Sequence, residues 1–279
     1  MKIAVTGASG FIGRHVLQEL FRQDIKIVAV VKPSNEGPFL PGVDVVCLDI
    51  RDAPANAYEL LSQPDALIHL AWGGLPNYRS PHHFEQELPT NYQFLKSLVA
   101  GGLKNLVVAG TCFEYGMQSG PLNELVAVRP NNPYGFAKDC LRQQLEYLKA
   151  SQQFNLTWAR LFYLYGEGQA ENCLFPLLRK AVARGDESFQ MSGGEQLRDY
   201  LRVETVARYL VALTLKQQNC GVINLCSGQP ISIRKLVEGW IMENAWQMAL
   251  DLGRYPYPDY EPMAFWGDPS KLKALLEIS

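Results

Sequence analysis

Lys2–Gly13 (KIAVTGASGFIG) decides the fold. Lys2–Thr6 is a short apolar run and reads as a strand. The residues from 11 to 23 follow as a helix, with apolar side chains at 12, 16, 17, 20 and 21 on one face. Three glycines stand between and just inside these elements. Gly7 permits a tight turn, Gly10 lets a pyrophosphate approach the backbone N–H groups at the helix N-terminus, and Gly13 lets helix and strand pack closely. Glycines alone are a weak signal, but the strand–turn–helix context reads as a dinucleotide-binding loop. A tight turn without a ligand is the bland alternative.

Working outward, further apolar runs lie at 25–31, 43–48, 66–71, 106–109, 156–161 and 222–225. Helical patterns lie at 91–100, 134–151, 174–184 and 203–216. Continuous Val/Ile/Leu runs mark strands buried on both faces, hence a parallel sheet. Strand-then-helix repetition predicts an α/β protein with a Rossmann-type doubly wound parallel sheet. The expected division is a dinucleotide-binding domain over 1–164, with 203–226 returning to it. A smaller C-terminal substrate-binding lobe is expected from 165–202 and 227–279. YPYPDYEP, at 255–262, reads as neither helix nor interior strand.

The composition narrows the function. Of 279 residues, 47% are hydrophobic and 19% charged, with net charge −2. Such a chain has ample core, and a broadly basic nucleic-acid surface is not expected. No apolar run approaches the ~20 residues of a membrane span, and the N-terminus reads as lacking a signal peptide. The six cysteines form no CxxC pair and no regular framework, so neither a zinc site nor disulfides are expected. The expected location is the reducing cytoplasm.

Lys32 ends the second strand, where an NAD enzyme usually carries an acid for the ribose 2′-OH, and no acid occurs until Glu36. A cation suits a 2′-phosphate, so NADP(H) is favoured and NAD(H) is the alternative; a solvated lysine is the bland one. Asp49, after the third strand, suits the adenine amine or a cap. Tyr134 and Lys138 stand at i and i+4 on one helix face. The ammonium stabilises a tyrosinate, which makes Tyr134 a usable acid or base. His82-His83 reads as loop, with no metal expected. Cys112 reads as a filler rather than a nucleophile, having no evident histidine partner.

These segments resemble the extended short-chain dehydrogenase/reductases, specifically the NAD(P)-dependent sugar-nucleotide epimerase/dehydratase group. TGASGFIG, DALIHLAW, Asn91, VVAGTCFEYG, NNPYGFAK, ARLFYLYG, LRDYLRVETVA and VINLCSG fall in that family's order over nearly the whole chain. The resemblance implies Thr111, Tyr134 and Lys138 as the catalytic set, with Lys138 also on the nicotinamide ribose. It implies a cofactor cleft that adds Ser9, Phe11, Ile12, Ile50, Leu70, Ala71, Trp72, Asn91 and Leu161 to the glycines, Lys32 and Asp49. It implies substrate contacts from Thr111, Cys112, Asn172 and Arg198. Arg198 would grip the diphosphate, although pairing with Asp199 would also explain it; Asn172 could equally cap the next helix.

One departure is informative. The family's 4,6-dehydratases follow the threonine with an Asp-Glu pair, and here Cys112-Phe113 stands there. Glu114 comes one place later and is expected to face away on an extended segment. The resemblance is closest to the nucleotide-4-keto-6-deoxyhexose reductases, acting on a dTDP-, GDP- or CDP-linked sugar. A nucleotide-sugar 4-epimerase and a non-catalytic dinucleotide-binding regulator are the alternatives. A homodimer through the helices after strands four and five is the option the family offers.

Overall fold

The structure, a computed structural model, describes residues 1–35 and 39–278. Glu36 lies outside the described residues. The chain opens β1 (Lys2–Thr6), α1 (Phe11–Phe21), β2 (Lys26–Val31), β3 (Asp44–Cys47), α2 (Ala57–Leu60), β4 (Ala66–His69), α3 (Leu88–Gly101), β5 (Asn105–Thr111) and α4 (Pro133–Ser151). It continues through the strand Asn155–Leu161, α5 (Leu174–Arg184), α6 (Val203–Leu215), the strand Gly221–Leu225, α7 (Ile233–Glu243) and α8 (Ser270–Leu276).

Among the described residues the main sheet has seven strands, in the order Gly221–Leu225, Asn155–Leu161, β5, β4, β1, β2, β3. Every pairing in it is parallel. Both faces are covered, which is why the strands read as unbroken apolar runs. Ile3, Val5, Ile27 and Ala29 face a core completed by α1 and α6 through Val16, Leu20, Val206 and Leu210. Ala4, Val28, Leu67 and Leu106 face the opposite core, closed by Phe94 and Leu98 of α3 and Leu141 and Leu145 of α4.

The chain leaves β1 toward β2 and β3, then returns to set β4 on the other side of β1. The ends of β1 and β4 therefore part into a crevice, the topological switch point where open α/β sheets bind ligands. Gly13 is fixed by packing here: a Cβ would lie 2.2 Å from the carbonyl oxygen of Gly7.

A separate apolar cluster joins α5, α7 and the strand Ser188–Gln190 through Leu178, Phe189, Val237 and Trp240. The strands Tyr163–Tyr165, Leu197–Arg202 and Pro230–Ser232 form a small sheet beside it. The chain end departs from expectation. Residues 270–276, read with the smaller lobe, instead pack on the main core through Leu272, Leu275 and Leu276. The 3.6-residue period brings these three to one helix face.

Candidate active site

Two clefts open at the C-terminal ends of the strands. The first, of about 200 Å³, is walled by the segments that follow β1 to β4. Gly7, Ser9, Gly10, Lys32, Asp49, Ile50, Leu70, Ala71 and Trp72 line it. Gly7 adopts φ +66°, a left-handed turn that favours glycine. Gly10 is the N-cap of α1 and supplies no side-chain cap, so first-turn N–H groups remain available to an anion. A turn with backbone close at Gly7 and Gly10, opening onto N–H groups without a side-chain cap, fits a pyrophosphate.

Farther along the same cleft, Asp49 does two things at once. It caps the turn Ile50–Asp52 by accepting the Arg51 N–H at 3.1 Å, and it lines the cleft. Arg51 returns Nη2 to its carboxylate at 2.5 Å and, with burial opposing, holds its pKa down at about 2. Lys32 Nζ stands 4.0 Å from the same carboxylate. Arg51 was not singled out from the sequence. Its place two residues after Asp49, at a strand end, was the available signal.

Asn91, Phe11, Ile12, Gly13 and Leu161 do not line this cleft. Asn91 is fully buried beneath it, where Oδ1 meets His69 Nε2 at 2.7 Å. His69 Nδ1 meets Thr6 Oγ1 at 2.8 Å, and that hydroxyl accepts the N–H groups of Leu70 and Ala71. Burial lowers His69 to about 3, so the imidazole is neutral and the network ties β1 to β4 under the crevice. Gly13 serves helix packing, Ile12 packs on the main core, and Phe11 and Leu161 face the second cleft.

The second cleft, of about 400 Å³, holds Thr111, Cys112, Tyr134 and Leu161 together. Much of its remaining wall is aromatic, with Tyr78, Phe113, Tyr163, Tyr165, Phe175, Tyr200 and Trp240, and aliphatic residues such as Leu75 and Leu164 fill in between. Among the described residues, none lining it is charged. Asn132 starts α4 by accepting the Gly135 N–H at 2.8 Å, which sets Tyr134 and Lys138 facing inward. Gly135 is required: a Cβ there would lie 2.5 Å from the Phe113 carbonyl oxygen. Lys138 Nζ donates to the Ala109 carbonyl at 2.9 Å.

Burial, not the ammonium, dominates the phenol. The Tyr134 pKa is pushed well above the ordinary phenol range, while the Thr111 hydroxyl pulls weakly the other way. Burial also lowers Lys138 to about 7. The sequence-based expectation of a phenol pKa lowered by Lys138 is therefore corrected: at neutral pH Tyr134 keeps its proton, as a general acid must. Burial raises the Cys112 thiol far above neutrality, so it is no nucleophile.

Glu114 faces away from the cleft, but not on an extended segment. Cys112–Tyr115 is a 3₁₀ turn, and Glu114 folds back under it, fully buried. Its carboxylate accepts from Thr111 N (2.9 Å), Trp158 Nε1 (2.9 Å) and Arg160 Nε (2.6 Å). The other two expected substrate contacts are not on the cleft wall. Asn172 is exposed, one residue before Cys173, which does line it. Arg198 is only 2% exposed and donates from Nε and Nη2 to Glu261 at 3.1 and 2.8 Å, not to Asp199. Asp199 instead accepts the backbone N–H groups of Ser227 and Gly228.

The model of the NAD dependent epimerase/dehydratase family matches residues 3–226. The chain belongs to that family. It is 34% identical to a dTDP-6-deoxy-L-talose 4-dehydrogenase (NAD(+)) of Aggregatibacter actinomycetemcomitans, over 96% of this chain and 99% of that protein. It is 22% identical to a dTDP-4-dehydro-6-deoxyglucose reductase of Escherichia coli, over 85% of this chain and 79% of that one. Among solved structures, a UDP-glucuronic acid 4-epimerase from Bacillus cereus in complex with UDP-glucuronic acid and NAD superposes with TM-score 0.83. That structure is 25% identical and covers all of this chain and 94% of its own. Members of this NAD-dependent family modify nucleotide sugars as oxidoreductases or epimerases. No helix among the described residues is long and apolar enough to cross a membrane.

Proposed function

We propose that the protein reduces the keto group of a nucleotide-activated 4-keto-6-deoxy sugar with NAD(P)H, in the supply of deoxysugar or surface-polysaccharide precursors. The observation that carries this is the proton inventory of the second cleft. Tyr134 and Thr111 offer O–H groups beside the wall tyrosines Tyr78, Tyr163, Tyr165 and Tyr200, and no carboxylate lines the cleft among the described residues. Such a wall suits protonation of an alkoxide and lacks the acid–base pair that elimination of water requires. A dTDP-linked sugar comes first, on the likeness to the Aggregatibacter dehydrogenase, with GDP- and CDP-linked sugars next.

Gly7, Ser9, Gly10 and the α1 N-terminus would hold the cofactor pyrophosphate, and Asp49 would accept from the adenine amine. When bound, the nicotinamide supplies the hydride to the carbonyl carbon. Tyr134 gives its proton to the carbonyl oxygen. Thr111 donates a second hydrogen bond to that oxygen, and the Lys138 charge stabilises the tyrosinate left behind. Lys138 would also hold the nicotinamide ribose.

Preference for NADP(H) is the finer part of the proposal. What supports it is that Lys32 and Arg51, both about half exposed, flank Asp49 at the end of the first cleft and could both turn toward a 2′-phosphate. A substrate-binding role for the smaller lobe, cytoplasmic location and a homodimer through α3 and α4 are also proposed. The dimer is supported by Phe84 and Phe136, which meet edge-on and are 37% and 48% exposed.

The test is a panel of dTDP-, GDP- and CDP-linked 4-keto-6-deoxy sugars with NADPH and NADH, followed by NMR of the product.

A further inference from the structure

Lys138 is a buried cation whose surroundings are only partly explained by proton transfer. Nζ donates a hydrogen bond to the Ala109 carbonyl and forms no ion pair among the described residues. Glu114 and Glu87 act on it through space, but Glu114 is bonded to Arg160 and Glu87 to Gly73 N and His82. The group closest over the ammonium is an aromatic face: Nζ lies 3.9 Å from the Trp72 ring centroid. An indole face is the strongest aromatic surface for a cation, and more so where water is excluded.

The indole is itself held. Trp72 Nε1 donates to His83 Nδ1 at 3.1 Å, and His83 Nε2 donates to the Asn77 carbonyl at 2.8 Å. One ring nitrogen accepts and the other donates, so His83 is the neutral Nε2–H tautomer. Burial lowers its pKa and keeps it neutral; the Asn77 carbonyl and Glu87 oppose, and His82 and Lys138 push with burial. Its ring centroid is 5.2 Å from that of Tyr134, and Trp72 also lines the first cleft. The Tyr134 N–H donates to the Tyr78 carbonyl of the same loop. The loop from 72 to 83 is thus clasped onto both members of the proton-transfer pair.

We propose that Trp72 and His83 are positioning residues of the proton-transfer site, the indole face seating the Lys138 ammonium and neutral His83 fixing the indole. This rests on the assignment of Tyr134 and Lys138 made above. The two residues touch neither the transferred proton nor the carbonyl.

The experiment has two arms. The first needs no substrate: NMR of protein labelled with ¹³C-lysine, with the Lys138 signal assigned by its loss in Lys138→Met. The side-chain methylene protons nearest the ammonium should be shifted upfield by the indole ring current. They should titrate near 7. Trp72→Phe should move that titration down by roughly half a pH unit, because a phenyl face holds a cation less well. His83→Leu should weaken the upfield shift. His83→Gln, whose amide can accept from the indole and donate to Asn77, should retain it.

The second arm reads kcat, KM and cofactor Kd on the keto sugar that the panel identifies. His83→Leu should lower kcat about tenfold. His83→Gln should recover at least half of the loss. An unshifted Lys138 signal in the wild type overturns the proposal. So does equal loss of kcat in Gln and Leu variants that fold normally by circular dichroism. The NMR pattern without turnover on any sugar supports the placement of Trp72 and His83 and overturns the reductase assignment instead.

Discussion

Glu114 Oε1 accepts the backbone N–H of Thr111 at 2.9 Å, and Thr111 Oγ1 in turn accepts the N–H of Phe113 at 3.3 Å. This reciprocal cap fixes both ends of the threonine. With a lone pair of Oγ1 committed to the turn, the hydroxyl proton is left to donate toward the cleft. The acid of TCFEYG is therefore scaffolding beneath the site.

Glu114→Gln should consequently be a stability variant first. The change leaves Arg160, 2% exposed, as a buried charge without its carboxylate. Breaking such a pair from one side costs about 3–5 kcal/mol. Urea denaturation at neutral pH should show a loss of that size. A loss under about 1 kcal/mol would show that Arg160 is not held by this bond.

Tyr134→Phe should remove the proton donor and keep the ring that packs against Tyr78 and Trp72. Turnover should fall by ~10²–10⁴-fold while cofactor affinity stays nearly unchanged. Steady-state kinetics beside a cofactor titration checks this. Retention of more than half the activity removes Tyr134 from the mechanism.

Reduction should slow in the alkaline direction. Lys138 titrates at about 7 because burial disfavours its charged form. As pH rises through that value the ammonium is lost, and with it the charge that stabilises the tyrosinate formed when Tyr134 gives up its proton. The kcat profile should be flat below the limb and fall above it. Lys138→Met should have low activity with no such limb. A wild-type rate that climbs steadily from pH 7 to 9 contradicts the assigned role.

Cofactor choice should depend on two cations. Charge-assisted contacts to a 2′-phosphate are worth about 1.5–3 kcal/mol, or roughly ten- to a hundredfold. Lys32→Ala and Arg51→Ala should each reduce the ratio of NADPH to NADH specificity, and the double variant should erase it. Competition by 2′,5′-ADP against 5′-AMP reads the same site without substrate. Equal affinity for the two in the wild type withdraws the NADP(H) preference.

Much of the architecture was legible because its signals are local. The unbroken apolar runs reported strands covered on both faces, and Gly7, Gly10 and Gly13 reported the turn into α1. Tyr134 and Lys138 share a face by helical period alone. What sequence reasoning missed depends on distant partners. Cys112–Tyr115 turns rather than extends because Glu114 finds Trp158 and Arg160, which lie on a strand far along the chain. Arg198 is withdrawn behind the cleft wall by Glu261, 63 residues away. The sign of the Tyr134 shift depends on burial, which local spacing does not reveal. Asn91 has the right address but faces His69 rather than the cleft.

The most direct test of the central claim follows nicotinamide absorbance and the product together, with the purified protein and dTDP-4-keto-6-deoxyhexose. The account predicts that reduced cofactor is consumed one-for-one with keto sugar and that NMR shows a new hydroxyl at C4. A protein that retains NAD through purification and inverts a 4-hydroxy sugar, with no net change in absorbance, would instead be a 4-epimerase and would contradict the account.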